Sequence, residues 1–101
     1  MNNERFLELW NKTLEQDSDC MTTKGADYAG SEDRLANFKR NAERWGMTPI
    51  QVWSIYFGKH MDAIESYVKK GKLESEPIEA RIMDARNYLF LLKCLIEDVK
   101  K

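Results

Sequence analysis

The stretch that decides the fold is Pro77-Ile78-Glu79-Ala80-Arg81-Ile82-Met83-Asp84-Ala85-Arg86-Asn87-Tyr88-Leu89-Phe90-Leu91-Leu92-Lys93-Cys94-Leu95-Ile96-Glu97-Asp98-Val99. Ile78, Ile82, Ala85, Leu89, Leu92, Ile96 and Val99 recur in alternating steps of four and three. That is the period of an amphipathic helix, and these seven are expected to face inward. Two further rows flank them: Arg81, Asp84, Tyr88, Leu91, Leu95, and Ala80, Met83, Asn87, Phe90, Cys94. Both are polar early and apolar late. A helix so apolar in its second half is surrounded there, which places Arg81, Asp84 and Asn87 partly inside as well. Buried ionisable groups require partners, and a cluster of them facing a cleft is a candidate site.

Three more helices precede this one, and no strand is predicted. The first is expected over residues 4–15, with Phe6, Leu7, Leu9, Trp10 and Leu14 on its inner side. Residues 17–30 lack a sustained stripe and are punctuated by Gly25 and Gly30, so they read as a loop. The second helix is expected from Ser31, a good N-cap followed by Glu32 and Asp33, to Gly46, a residue suited to a left-handed stop. The third begins at Thr48-Pro49-Ile50-Gln51, which combines a threonine cap, proline at the first helical position and glutamine at the reciprocal capping position. It should end near Lys70, at Gly71, with Ile50, Trp53, Phe57, His60, Ile64 and Tyr67 inward. The predicted architecture is all-α, a four-helix bundle-like single domain over residues 1–101.

Composition bounds the function. The chain has 101 residues, 43% hydrophobic and 33% charged, with net charge −1. These values fit a globular protein and exclude the general basic character of a duplex-binding one. The opening Met1-Asn2-Asn3-Glu4-Arg5 lacks the regions of a signal peptide. The apolar run 88–92 is too short to span a bilayer. Cys20 and Cys94 have no metal-ligand spacing and read as free thiols in a reducing cytoplasm.

The last two helices, joined by a short connection, are expected to be antiparallel neighbours whose positions pair when their numbers sum to about 147. His60 is then level with Asn87, and Asp62 with Ala85. Asp62 is rotated from His60 by roughly 200° around the helix, so the two cannot face the same partner.

Several constellations carry potential chemistry. Asp62 and Glu65 share a helix face. With Asp84 from the neighbouring helix they could hold Mg²⁺, which takes oxygen ligands and completes its shell with substrate phosphates; ordinary solvated carboxylates are the plainer reading. His60, the only histidine, could serve catalysis or donate to a phosphate beside Lys59, or be a hydrogen-bonded core residue. Asp84 and Asn87 are three apart on one face, suited equally to ligand contact and to an interhelical network. Lys24-Gly25-Ala26-Asp27-Tyr28-Ala29-Gly30 could bring backbone amides to an anion, with Lys24 on a phosphate and Tyr28 over a base; it could equally be an ordinary connection. Residues 88–96 are apolar nearly all round, more than a chain of this size can cover, so a second subunit is expected there, most simply a homodimer.

Lys24-x-x-Asp27-Tyr28-Ala29-Gly30, Asn37-Phe38-Lys39, Lys59-His60-x-Asp62 and Arg81-x-x-Asp84-x-x-Asn87-Tyr88 together resemble the phage-type nucleotide modification associated domain family, over about residues 20–98. Their order is also similar, more distantly, to the MazG-like all-α nucleotide pyrophosphohydrolases. That resemblance implies a bacteriophage protein acting in the host cytoplasm on a (deoxy)nucleoside triphosphate with Mg²⁺. It implies Asp62, Glu65 and Asp84 as metal ligands, with Asp84, Asp62 and His60 catalytic. Lys24, Asp27, Tyr28, Asn37, Lys59, His60, Arg81, Asn87 and Tyr88 would then contact the ligand. The chain departs from the MazG-like pattern at Lys59-His60 and at Arg81, where carboxylates are usual. Fewer carboxylates and more cations favour an anionic ligand over a metal. Three expectations follow: a Mg²⁺-dependent pyrophosphohydrolase, a binder that sequesters a nucleotide or nucleotide-derived signal against host defence, or an interaction protein whose polar seam fixes helix register.

Overall fold

A computed structural model describes the backbone of residues 1–29 and 33–100 and the side chains of 1–22 and 33–100. It contains four helices, α1 Asn3–Ala29, α2 Ala36–Trp45, α3 Pro49–Lys70 and α4 Ile78–Val99, and no strand among the described residues. No helix among the described residues is long and apolar enough to cross a membrane. The chain divides into two compact units, Met1–Arg34 and Leu35–Lys101.

In the first unit, α1 continues through residues 17–29, which sequence pattern had assigned to a loop. The missing apolar stripe there is not an absence of helix. One interior glycine, Gly25, costs only about 1 kcal/mol relative to alanine and does not stop a helix already running. Thr22 Oγ1 turns back onto the carbonyls of Ser18 (3.0 Å) and Asp19 (3.2 Å), which keeps its hydroxyl satisfied within the helix. The Arg34 guanidinium donates to the carbonyl of Met21. Phe6, Leu7, Leu9, Trp10 and Leu14, expected on the inner side, are all 42% exposed or more.

In the second unit α3 is the centre, packed against α2 on one flank and α4 on the other. Its start is as expected: Gln51 N donates to Thr48 Oγ1 (3.1 Å), and Thr48 N donates to Gln51 Oε1 (2.9 Å). Both helices stop on left-handed glycines, α2 at Gly46 (φ 66) and α3 at Gly71 (φ 78). The start of α2 differs. It opens at Ala36 after Leu35, with no side-chain cap hydrogen bond, and the expected cap Ser31 lies outside the described residues.

The core is Leu35, Phe38, Ala42, Val52, Trp53 and Leu95, ringed by partly buried Tyr56, Phe57, Tyr88, Leu91 and Leu92 among others. Val52, outside the expected inner row of α3, is fully buried. It stands one turn before Tyr56, which meets Phe38 and Asn41 of α2, so α3 has a second contact face that a single stripe does not reveal. A larger correction concerns α4. Of its expected inward stripe, Ala85 is buried, but Ile82, Leu89, Ile96 and Val99 are exposed. The inward face is instead the row of Arg81, Asp84, Tyr88, Leu91 and Leu95, with Leu95 only 1% exposed. Where a helix is apolar nearly all round, period identifies faces without ranking them. The polar row turned inward because α3 and the α3–α4 turn offer it partners.

Candidate functional site

Arg81, on the first turn of α4, reaches across to α3. Its Nη1 donates to His60 Nδ1 at 3.0 Å, and its Nη2 pairs with Glu76 in the α3–α4 turn. An arginine has only donors, so His60 Nδ1 accepts and its proton resides on Nε2. Burial holds His60 below its ordinary value of 6.5, and the neighbouring Arg81 charge lowers it further; Asp84 and Glu76 oppose them by less. His60 is therefore the neutral Nε2–H tautomer at neutral pH.

The imidazole lies against the Tyr88 ring, centroids 4.6 Å apart and planes tilted by 48°. Burial raises the Tyr88 phenol above its ordinary value, with smaller contributions from Tyr56 and Asp84. Two turns earlier on α3, Trp53 Nε1 donates to the Tyr88 carbonyl at 2.6 Å and its ring stacks on Phe57 at 4.7 Å. Tyr88 is thus held by its backbone from α3 and by its ring against His60.

One polar group of this seam is buried and unmet among the described residues. Arg81 Nε is buried without a hydrogen-bond partner. His60 and Asn87 are the buried polar residues of the same seam, at 9% and 8% exposure, but among the described residues Arg81 Nε alone is a buried side-chain polar atom without a partner. An unmet buried donor costs about 1–3 kcal/mol, which water or a ligand would offset.

The remaining expected site residues are distributed more widely. Asp84 is half-buried and close enough to His60 and Tyr88 to shift both. Asp62 and Glu65 are exposed, and Glu65 pairs with Lys69 at 3.3 Å one turn on. His60 faces the core, so Asp62 does not share its face. Among the described residues, no group of three histidine, cysteine, aspartate or glutamate side chains could hold a metal ion. Asp62, Glu65 and Asp84 are thus not brought together as one metal-binding group among the described residues. Lys59 is exposed, its Nζ 5.8 Å from the centroid of the Tyr56 ring. Asn37 accepts from Arg40 on its own helix. The side chains of Lys24, Asp27 and Tyr28 lie outside the described residues. Their backbone is helical, so its amides are engaged along the helix and form no open anion cradle.

Sequence reasoning missed Glu76 as a site residue. Its signal was present: a carboxylate just before Pro77, where the chain enters the helix that bears Arg81. It missed Trp53 as the group that anchors Tyr88, because a tryptophan on an apolar row reads as core. No protein-family model, curated protein or solved structure matches the chain.

Proposed function

We propose that the chain is a nucleotide-binding protein that holds a phosphorylated small molecule at the α3–α4 seam without cleaving it. The observation that carries this reading is the buried, unpartnered Arg81 Nε–H, set beside the His60 imidazole and Glu76 at the α3–α4 seam. A phosphate offers acceptors only, and donors from arginine to such an anion form the stronger class of hydrogen bond. Tyr88 supplies an aromatic edge for a base, and Asp84 an acceptor for a sugar hydroxyl or base amine. The motif resemblance to phage-type nucleotide modification associated proteins supports the same ligand class.

Hydrolysis has less support. Asp62 and Glu65 stand exposed on a different face from His60. Pinning of helix register alone would explain the Arg81–His60–Glu76 contacts but leaves the buried Arg81 Nε–H without a partner.

The test incubates the protein with a mixed pool of nucleoside and deoxynucleoside triphosphates, with and without Mg²⁺, and separates bound from free species by chromatography. Intact nucleotide retained by the wild type, and lost in Arg81→Met and Asn87→Leu variants that keep their helical circular dichroism, is the expected result. Monophosphate and pyrophosphate as products would make it a pyrophosphohydrolase. No retention and no product would leave the seam a structural device.

A further inference from the structure

A guanidinium has two edges on which a pair of N–H donors can hold an oxyanion, one formed by Nη1 and Nη2, the other by Nε and Nη2. In Arg81 the first edge is divided between two partners: Nη1 donates to His60 Nδ1 at 3.0 Å, and Nη2 pairs with Glu76. The second edge is half used. Glu76 meets its Nη2 end, while its Nε end is buried without a partner. A buried donor is the costlier kind to leave unmade. The charges felt at His60 are those of Arg81, Asp84 and Glu76. One cation thus stands among two carboxylates, so an anion that approaches this arrangement meets more repulsion than attraction.

We infer that Glu76 is a built-in competitor for the ligand's phosphate: binding displaces its carboxylate from Arg81, and the phosphate takes over the Nε–Nη2 edge. This rests on the nucleotide-binding reading above and adds to it the contact that regulates entry. In the free chain Glu76 spares a half-buried guanidinium from standing without a counter-charge, which is strongly destabilising. In the bound chain the phosphate supplies that charge and also meets the Nε–H that Glu76 leaves unmet.

The two partners of the ion pair are held unequally. Arg81 belongs to α4 and is tied to His60 of α3. Glu76 lies in the connection between α3 and α4, outside both helices, and its side chain is 29% exposed. Its release breaks no helical hydrogen bond and returns a carboxylate to water, where it is well solvated. The exchange trades one charge-assisted contact for two, and it removes one of the two negative charges that oppose an incoming anion.

The test measures binding of the mixed nucleoside and deoxynucleoside triphosphate pool, without Mg²⁺, by equilibrium dialysis for the wild type, Glu76→Gln and Glu79→Gln. Glu79 is an exposed carboxylate three residues on, and its variant makes the same change of charge. Glu76→Gln should bind about tenfold more tightly, the low end of what a hydrogen bond to a charged group is worth. Glu79→Gln should change binding by less than about twofold, as exposed charges do. In the wild type, which needs no variant to fold, the carbon-13 signal of the Glu76 carboxylate should move on saturation towards that of Glu79. Wild-type binding with no gain in Glu76→Gln, an equal gain in Glu79→Gln, or a Glu76 signal unmoved at saturation overturns the inference and leaves the binding reading standing. Retention by none of the three proteins overturns the binding reading, and this inference with it.

Discussion

α1 and α3 are both long helices with aromatic residues at helical spacing, yet their fates differ. On α3, Val52 is fully buried and Trp53 is 8% exposed; on α1, Trp10 is 53% and Phe6 57% exposed. No described side chain of the first unit is buried, whereas the second unit contains every buried residue among those described. The difference lies in the neighbours. α3 has α2 and α4 on two flanks, and each side chain between them is held by contacts from more than one helix. An apolar stripe states that a helix has something to bury. It does not state what will cover it.

The most damaging way to break this contrast is Trp53→Ala. It removes the stack on Phe57 and the hydrogen bond to the Tyr88 carbonyl, and should cost about 3–5 kcal/mol in urea unfolding. Leu9→Ala on α1 should cost the monomeric fold less than about 0.5 kcal/mol, as exposed positions do. Comparable losses at the two positions would show that the contrast is false.

Next in size is the polar seam. Arg81→Met leaves His60 Nδ1 and the Glu76 carboxylate without their donor, an expected loss of about 1–3 kcal/mol. Adding Glu76→Gln should recover part of it, since the second change removes an uncompensated charge; a double variant no more stable than Arg81→Met would argue that Glu76 contributes nothing. Smaller again are the helix ends. Thr48→Ala removes the hydroxyl of the capping box and should cost about 1 kcal/mol. Gly71→Ala, at φ 78, should cost about 1–2 kcal/mol from the left-handed conformation alone. Thermal midpoints read both.

The smallest effect is the dependence on acid. The folded protein holds His60 below 6.5, the value it regains when unfolded. Below 6.5 the unfolded chain therefore binds the proton more readily. Stability from this group is complete above 6.5 and declines as pH falls towards the folded value. The urea midpoint of wild type minus that of His60→Gln should fall between neutral pH and about one unit below 6.5. A difference that rises on acidification would place a stabilising positive charge on His60 and contradict the geometry.

The parts of the fold set by local chemistry were legible in the sequence. The Thr48–Gln51 box and the stops at Gly46 and Gly71 depend on a few adjacent residues and on φ angles that only certain side chains accept. The height of the site was legible too: His60 meets Tyr88, one residue from the expected level partner Asn87. The facing of α4 was not. Three of its rows are apolar in their second half, and the choice of the Arg81 row as the inner one depends on Glu76 and His60, which lie five and twenty-one residues away. The extent of α1 was hidden for the opposite reason. Residues 17–29 carry little to bury, and a helix without a stripe resembles a loop when read for periodicity alone.

The central claim is that the α3–α4 seam keeps a donor free for a ligand. With a single histidine in the chain, nitrogen-15 imidazole spectroscopy reads it directly. At neutral pH His60 should show an unprotonated Nδ1 and a protonated Nε2, and adding a deoxynucleoside triphosphate without Mg²⁺ should shift the Nε2 resonance saturably. An Nδ1–H tautomer, or an Nε2 signal unmoved by any nucleotide in the pool, would contradict the account.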